Sequence, residues 1–125
     1  MKKVYAHYRV DNKGTLHHSG GVTVYGEWEP KTGVLVAMGA VCTLDDNYSY
    51  KRGRAIARGR FKKYGHTPPI VGGINVPQEY RISDYEGVHV AMDRIAQELR
   101  WYIRKHDGLL RLRRYYRSVG KFEGE

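Results

Sequence analysis

Apolar and polar positions alternate through the first third of the chain. From Lys3 to Val10, Val4, Ala6, Tyr8 and Val10 point one way and Tyr5, His7 and Arg9 the other. A period of two with β-branched and aromatic residues marks a half-buried strand. Asp11-Asn12-Lys13-Gly14 reads as a turn. Alternation returns from Gly21 to Trp28, with Val22, Val24, Gly26 and Trp28 set against Thr23, Tyr25 and Glu27. Glu29-Pro30-Lys31-Thr32-Gly33 then closes a hairpin onto Val34 to Leu44. That third strand is apolar almost throughout, as the central or most covered strand of a small sheet should be. The pattern predicts a three-stranded antiparallel β-meander over residues 3–44.

From Asn47 the period lengthens. Tyr50, Gly53, Ala57, Phe61 and Tyr64 form one stripe of a basic helix over 47–64, with Asp46 or Asn47 as its cap and Gly65 past its end. The small residues Gly53 and Ala57 would let this helix lie close against the sheet. Lys51, Arg54, Arg58 and Lys62 form a second, adjacent stripe. Gly59 lies off the apolar stripe, where glycine costs about 1 kcal/mol relative to alanine, so either the helix frays there, the simpler expectation, or a partner approaches the backbone closely. Residues 65–83 hold Pro68, Pro69, Gly72, Gly73 and Pro77 and read as a loop, in which Ile70-Val71 and Ile74-Asn75-Val76 offer a short edge strand. Ser83-Asp84-Tyr85-Glu86 has the form of a capping box and opens a helix over 84–107 on Val88, Met92, Ile95, Leu99 and Ile103.

The basic C-terminal segment 109–121 carries two periods at once. Leu110-Arg111-Leu112-Arg113 alternates like a strand, while Leu109, Leu112, Tyr116 and Val119 repeat like a helix. The propensities of leucine and arginine favour the helix. The expected architecture is therefore α+β: one domain over residues 1–125, its three-stranded antiparallel sheet followed by two or three α-helices packed on one face.

Composition narrows the setting. A chain of 125 residues can bury a core without covalent staples. The single cysteine, Cys42, excludes an intrachain disulfide framework and points to a reducing, cytoplasmic compartment. Its place in the apolar strand predicts a buried, inert thiol. The longest apolar run, Val34 to Cys42, is half of what a membrane-spanning helix needs, so no membrane partner is expected. Met1 to Arg9 breaks its apolar residues with His7 and Arg9, which is unlike a signal peptide.

The net charge of +9 is unevenly placed. Residues 1–46 balance five basic against five acidic residues, and residues 47–78 hold seven basic residues and no acid. Residues 79–99 carry two basic and five acidic residues, and residues 100–121 carry eight basic and one acidic. Two basic blocks on a mildly acidic background are the footprint of an anion-binding surface. The plainer alternative is a pair of solvated arginine-rich helices.

The first block contains Asp46, Tyr48, Lys51, Gly53, Arg54, Ile56, Ala57, Gly59 and Arg60, downstream of Cys42. This Asp-x-(Tyr/Phe)…Gly-Arg-x-Ile-Ala-x-Gly-Arg pattern resembles a motif of small phage- and plasmid-encoded proteins of unknown function. The resemblance covers under a quarter of the chain. It implies a mobile-element setting and carries no catalytic role. From the residues themselves, Lys51, Arg52, Arg54, Arg58, Arg60, Lys62 and Lys63 on a rigid helix suit phosphates or an acidic protein groove. The second block interleaves Arg111, Arg113, Arg114 and Arg117 with Tyr115 and Tyr116. Arginine with aromatics suits a phosphate backbone and its bases, or else arginines lying over core rings.

Little points to catalysis. His17-His18 near His7 invites a metal site, but adjacent strand residues face opposite ways and no His-x-His or Cys-x₂-Cys spacing occurs, so no metal or cofactor is expected. Asp45-Asp46 would suit a metal-dependent nuclease, yet helix capping explains one of them more simply. The expected function is that of a non-enzymatic, phage-type regulatory protein binding DNA or RNA through arginine-rich helices. The alternative is an inhibitor of host nucleic-acid machinery, docking on an anionic groove of an RNA polymerase or a CRISPR effector.

Overall fold

The computed structural model describes residues 2–12, 14–64, 78–100, 103 and 111–119, with side chains except at 12, 17, 43–46, 63–64, 78–79 and 115–119. In chain order the elements are β1 (Lys2–Asn12), β2 (Thr15–Glu29), β3 (Val34–Asn47), α1 (Tyr50–Tyr64), β4 (Gln78–Arg81), α2 (Tyr85–Leu99) and β5 (Arg111–Val119). The strands form one five-stranded sheet in the order β4-β3-β2-β1-β5, every neighbouring pair antiparallel.

The expected meander of three strands with helices on one face is thus overturned. β1, β2 and β3 do run as consecutive antiparallel neighbours, but β2 and not β3 holds the centre. β5 adds to the free side of β1, and β4 to the free side of β3. The helices lie on opposite faces. Val4, Ala6, Tyr8, Val10, Val22, Val24, Trp28, Leu35 and Ala37 pack with Val88, Met92, Ile95, Ala96 and Leu99 of α2. Tyr5, Tyr25, Met38 and Ala40 pack with Ala57 and Phe61 of α1. The alternation that reads as half-buried in the sequence is buried on both sides, because each face of the sheet has its own helix.

The strand over 111–119 corrects the helical reading of the C-terminal segment. Leu112 packs on the α2-side core, and the segment pairs along β1 from Arg111 to Val119 with one register shift, at Tyr115. Backbone pairing of that extent outweighs a helix propensity worth only tenths of a kcal/mol per residue. α2 also ends earlier than the stripe suggests: Arg100 is its C-cap, and Ile103 is a buried turn residue. Its N-cap is Asp84, whose side chain accepts from the Gly87 amide at 2.7 Å, so Ser83 lies one residue outside the cap. The proposed strands at 70–76 fall outside the described residues, as do residues 104–110.

The α1 stripe of Gly53, Ala57 and Phe61 faces the sheet. Ala57 and Phe61 are buried, and a Cβ on Gly53 would collide with the Thr23 hydroxyl. The cap is Ser49, whose Oγ accepts from the Arg52 amide at 3.2 Å, and not Asp46 or Asn47, since β3 continues through Asn47. The helix passes Gly59 without interruption.

Candidate nucleic-acid interface

Strand register decides where the arginines go. Residues directly opposed in an antiparallel pair share a face. Arg113 stands opposite Arg9 and Arg111 opposite Asp11, on the α1 side, while Arg114 stands opposite Tyr8 on the α2 side. Arg114 has a structural partner there: its guanidinium reaches both carboxylate oxygens of Asp93 at 3.1 and 3.3 Å, and the Tyr8 hydroxyl donates to the same carboxylate at 2.5 Å. This half-exposed bridge ties β5 to α2 across β1.

On α1 the cations divide between two flanks. Arg54 and Arg58, both half-buried, lie on the flank toward β1, with Lys51 and Lys62 exposed further round. Arg54 lies close enough to His7 to help depress its pKa. On the opposite flank Arg52 and Ile56 line a cavity of about 80 Å³ with Thr23, Ala40, Val41 and Cys42. Cys42 is therefore half-buried at a cavity wall, not sealed in the core, and its thiol lies 3.7 Å from the Asn47 carbonyl. Arg60 is half-buried. The side chains of Lys63, Tyr115, Tyr116 and Arg117 are outside the described set.

Between α1 and β5 lies β1, which carries Tyr5, His7 and Arg9 on this face, the first two buried and Arg9 half-buried. Around His7 lies a hydrogen-bonded cluster that the sequence reading missed. His7 Nδ1 is 2.8 Å from the Tyr48 hydroxyl and 3.1 Å from Thr23 Oγ1, the two hydroxyls are 2.5 Å apart, and Tyr48 donates to the Val22 carbonyl at 3.2 Å. Gly21 makes room for this, since a Cβ there would stand 2.6 Å from the Tyr48 ring and 2.5 Å from the Tyr8 carbonyl oxygen. The Tyr50 ring covers His7, with centroids 4.8 Å apart.

Burial, helped by the Arg54 charge, lowers the His7 pKa to about 4, so the imidazole is neutral at pH 7. Burial likewise pushes the Tyr48 hydroxyl well above the usual phenol range, against an opposing pull from its Thr23 hydrogen bond and from Arg9. Arg54 of α1 and Arg9 of β1 therefore both act on the His7–Tyr48 cluster. On this side of the sheet Arg54 and Arg58 of α1 and Arg9 of β1 are half-buried, and Arg113, opposite Arg9, and Arg111 of β5 are exposed. α1 contains no acidic residue. Of the acids nearby, Glu27 accepts a hydrogen bond from Tyr25 at 2.8 Å, and Asp11 accepts one from the Gly14 amide at 2.9 Å.

Of the histidine pair, His18 is exposed and the His17 side chain is outside the described set; among the described residues no three His, Cys, Asp or Glu side chains cluster. Among them, too, no helix is long and apolar enough to cross a membrane. No protein family, curated protein or solved structure matches the chain.

Proposed function

We propose that the protein binds nucleic acid through the α1 side of its sheet, as a small non-enzymatic regulator acting in the cytoplasm, of the kind mobile elements encode. One observation carries the reading: arginines from three separate stretches of chain share one side of the sheet. Arg9 of β1 stands opposite Arg113 of β5, and Arg54 of α1 shares the His7–Tyr48 cluster with Arg9. Guanidinium groups fixed on rigid elements lose little freedom on meeting phosphates, and they form paired charge-assisted hydrogen bonds with them. The sequence reading assigned this work to arginine-rich helices. In the present reading one helix shares it with the β1–β5 edge of the sheet.

Titration of labelled duplex DNA, single-stranded DNA and RNA over a range of salt tests it. Submicromolar binding that weakens steeply with salt, and that Arg54→Glu with Arg58→Glu abolishes, is the expected result. Binding by every nucleic acid only at the non-specific level, roughly 10⁻⁴–10⁻⁶ M at physiological salt, would overturn the proposal. It would leave an anionic groove on a protein of the transcription or CRISPR machinery as the target of the same arginines.

A further inference from the structure

We propose a second binding site, independent of the nucleic-acid reading: the cavity between α1 and β3 takes a small carboxylate that carries a short, branched apolar tail. The cavity lies on the flank of α1 away from Arg54 and Arg58 and holds about 80 Å³. At a liquid share of ~30 Å³ per water, that is room for roughly two or three waters, or for an apolar fragment of about four carbon atoms. Ala40 and Val41 of β3 and Ile56 of α1 give it an apolar wall. Ile56 is 38% exposed and, with Val90, is one of two large aliphatic side chains open to solvent among the described residues. Being both exposed and part of the lining, it stands at the mouth. An apolar tail seated there would cover Ile56 and supply the dispersion contacts that an unfilled space forfeits.

The polar part of the lining selects the head group. Most of it is engaged within the protein: the Thr23 and Tyr48 hydroxyls bond to each other and to His7, and Tyr48 also donates to the Val22 carbonyl. Ser49 Oγ accepts from the Arg52 amide, and the Cys42 thiol lies at the Asn47 carbonyl. The Arg52 guanidinium is different. It is exposed, it makes no hydrogen bond or ion pair among the described residues, and it is the one charged group on a lining that holds no acid. A guanidinium meets a carboxylate through two parallel hydrogen bonds, so the head belongs at Arg52 and the tail against Ala40, Val41 and Ile56. Inorganic phosphate has no apolar part to fill the space, and Arg52 repels an amine. Arg52, which the sequence groups with the nucleic-acid-binding cations, thus serves a different ligand from Arg54 and Arg58.

Cys42, the single cysteine of the chain, lies on the cavity wall and reports its occupancy. Isovalerate is the probe, with isovaleramide as its neutral match in shape and acetate as the head without the tail, all at one ionic strength. A ligand this small binds in roughly the millimolar range, and about tenfold above its dissociation constant only about a tenth of the sites stay empty. Alkylation of Cys42 by iodoacetamide in the folded full chain should then slow about tenfold with isovalerate. Isovaleramide and acetate at the same concentration should leave the rate nearly unchanged. Arg52→Gln should erase the difference between isovalerate and isovaleramide, Arg52→Lys should keep part of it, and Arg94→Gln, exposed on α2, should keep all of it. Circular dichroism confirms the fold of each variant. The urea midpoint of the unaltered chain should rise with isovalerate and not with isovaleramide, which reads binding without the thiol. Equal protection by all three compounds, or by none, overturns the proposal. So does a Cys42 that iodoacetamide does not reach in the folded chain, because the cavity would then be closed to a molecule of that size.

Discussion

At the scale of single residues, His7 has the most to say about how the site is built. Its ring is buried between Thr23, Tyr48 and Tyr50, beside a guanidinium that disfavours a second positive charge. The folded-state pKa of about 4 lies below the unfolded value of 6.5, so between these limits the unfolded chain binds a proton that the native protein does not. Stability from this group is complete above pH 6.5 and is lost as the pH falls toward 4, by about 3 kcal/mol at the lower end. Urea denaturation at intervals between pH 7 and pH 4 should show this decline, and His7→Asn should remove it while lowering stability at pH 7. Parallel curves for the two proteins would mean that His7 is not the titrating group. Gly53 has an equally local role. Its missing side chain lets α1 sit on Thr23, so Gly53→Leu should overpack that contact and cost about 1–3 kcal/mol by chemical denaturation.

At the scale of elements, what the sequence discloses depends on whether local pattern or distant pairing decides. The stripe Gly53, Ala57, Phe61 specifies the buried side of α1 because i, i+4 spacing is a local property. Gly59 gives a contrast within the same helix. It is exposed, continuous helix runs through it, and a Cβ there would meet nothing within 4 Å. Gly59→Ala should therefore stabilise the protein by about 0.5–1 kcal/mol, read as a rise in the denaturation midpoint; a loss of stability would mean that the backbone at this point is not helical. β5 was legible only as an ambiguity. Leu110-Arg111-Leu112-Arg113 shows the strand period, but what settles it is a free edge on β1, and that edge is invisible until the sheet is assembled. The α1 cap shifted for a related reason: β3 runs through Asn47 to pair with Ser19, which moves the helix start beyond Asp46 and Asn47.

At the scale of the whole molecule, the two helices on opposite faces make the sheet a wall between unlike surfaces. The α2 side is sealed by apolar packing and by the Asp93 link to Tyr8 and Arg114. The α1 side collects positive charge. The sequence shows two basic blocks but not that they present arginines on the same side of one sheet, because that placement is created by β5 pairing with β1, about a hundred residues away in the chain. It also concealed Arg9, which belongs to neither block and lies in a segment of balanced charge. The same geometry takes Arg114 out of the candidate site, although Arg113 beside it in the chain stays in, because strand neighbours face opposite ways.

The claim that both blocks hold one ligand is tested most directly by a charge-reversal cycle. Arg54→Glu with Arg58→Glu on α1, Arg113→Glu on β5, and all three together would be compared by the salt dependence of nucleic-acid binding. The account predicts that each change alone weakens binding and flattens the slope, and that the combination removes salt-steep binding altogether while the fold is retained by circular dichroism. An Arg113→Glu protein with the affinity and slope of the unaltered chain, beside an α1 variant that no longer binds, would contradict it and reduce the site to the helix alone.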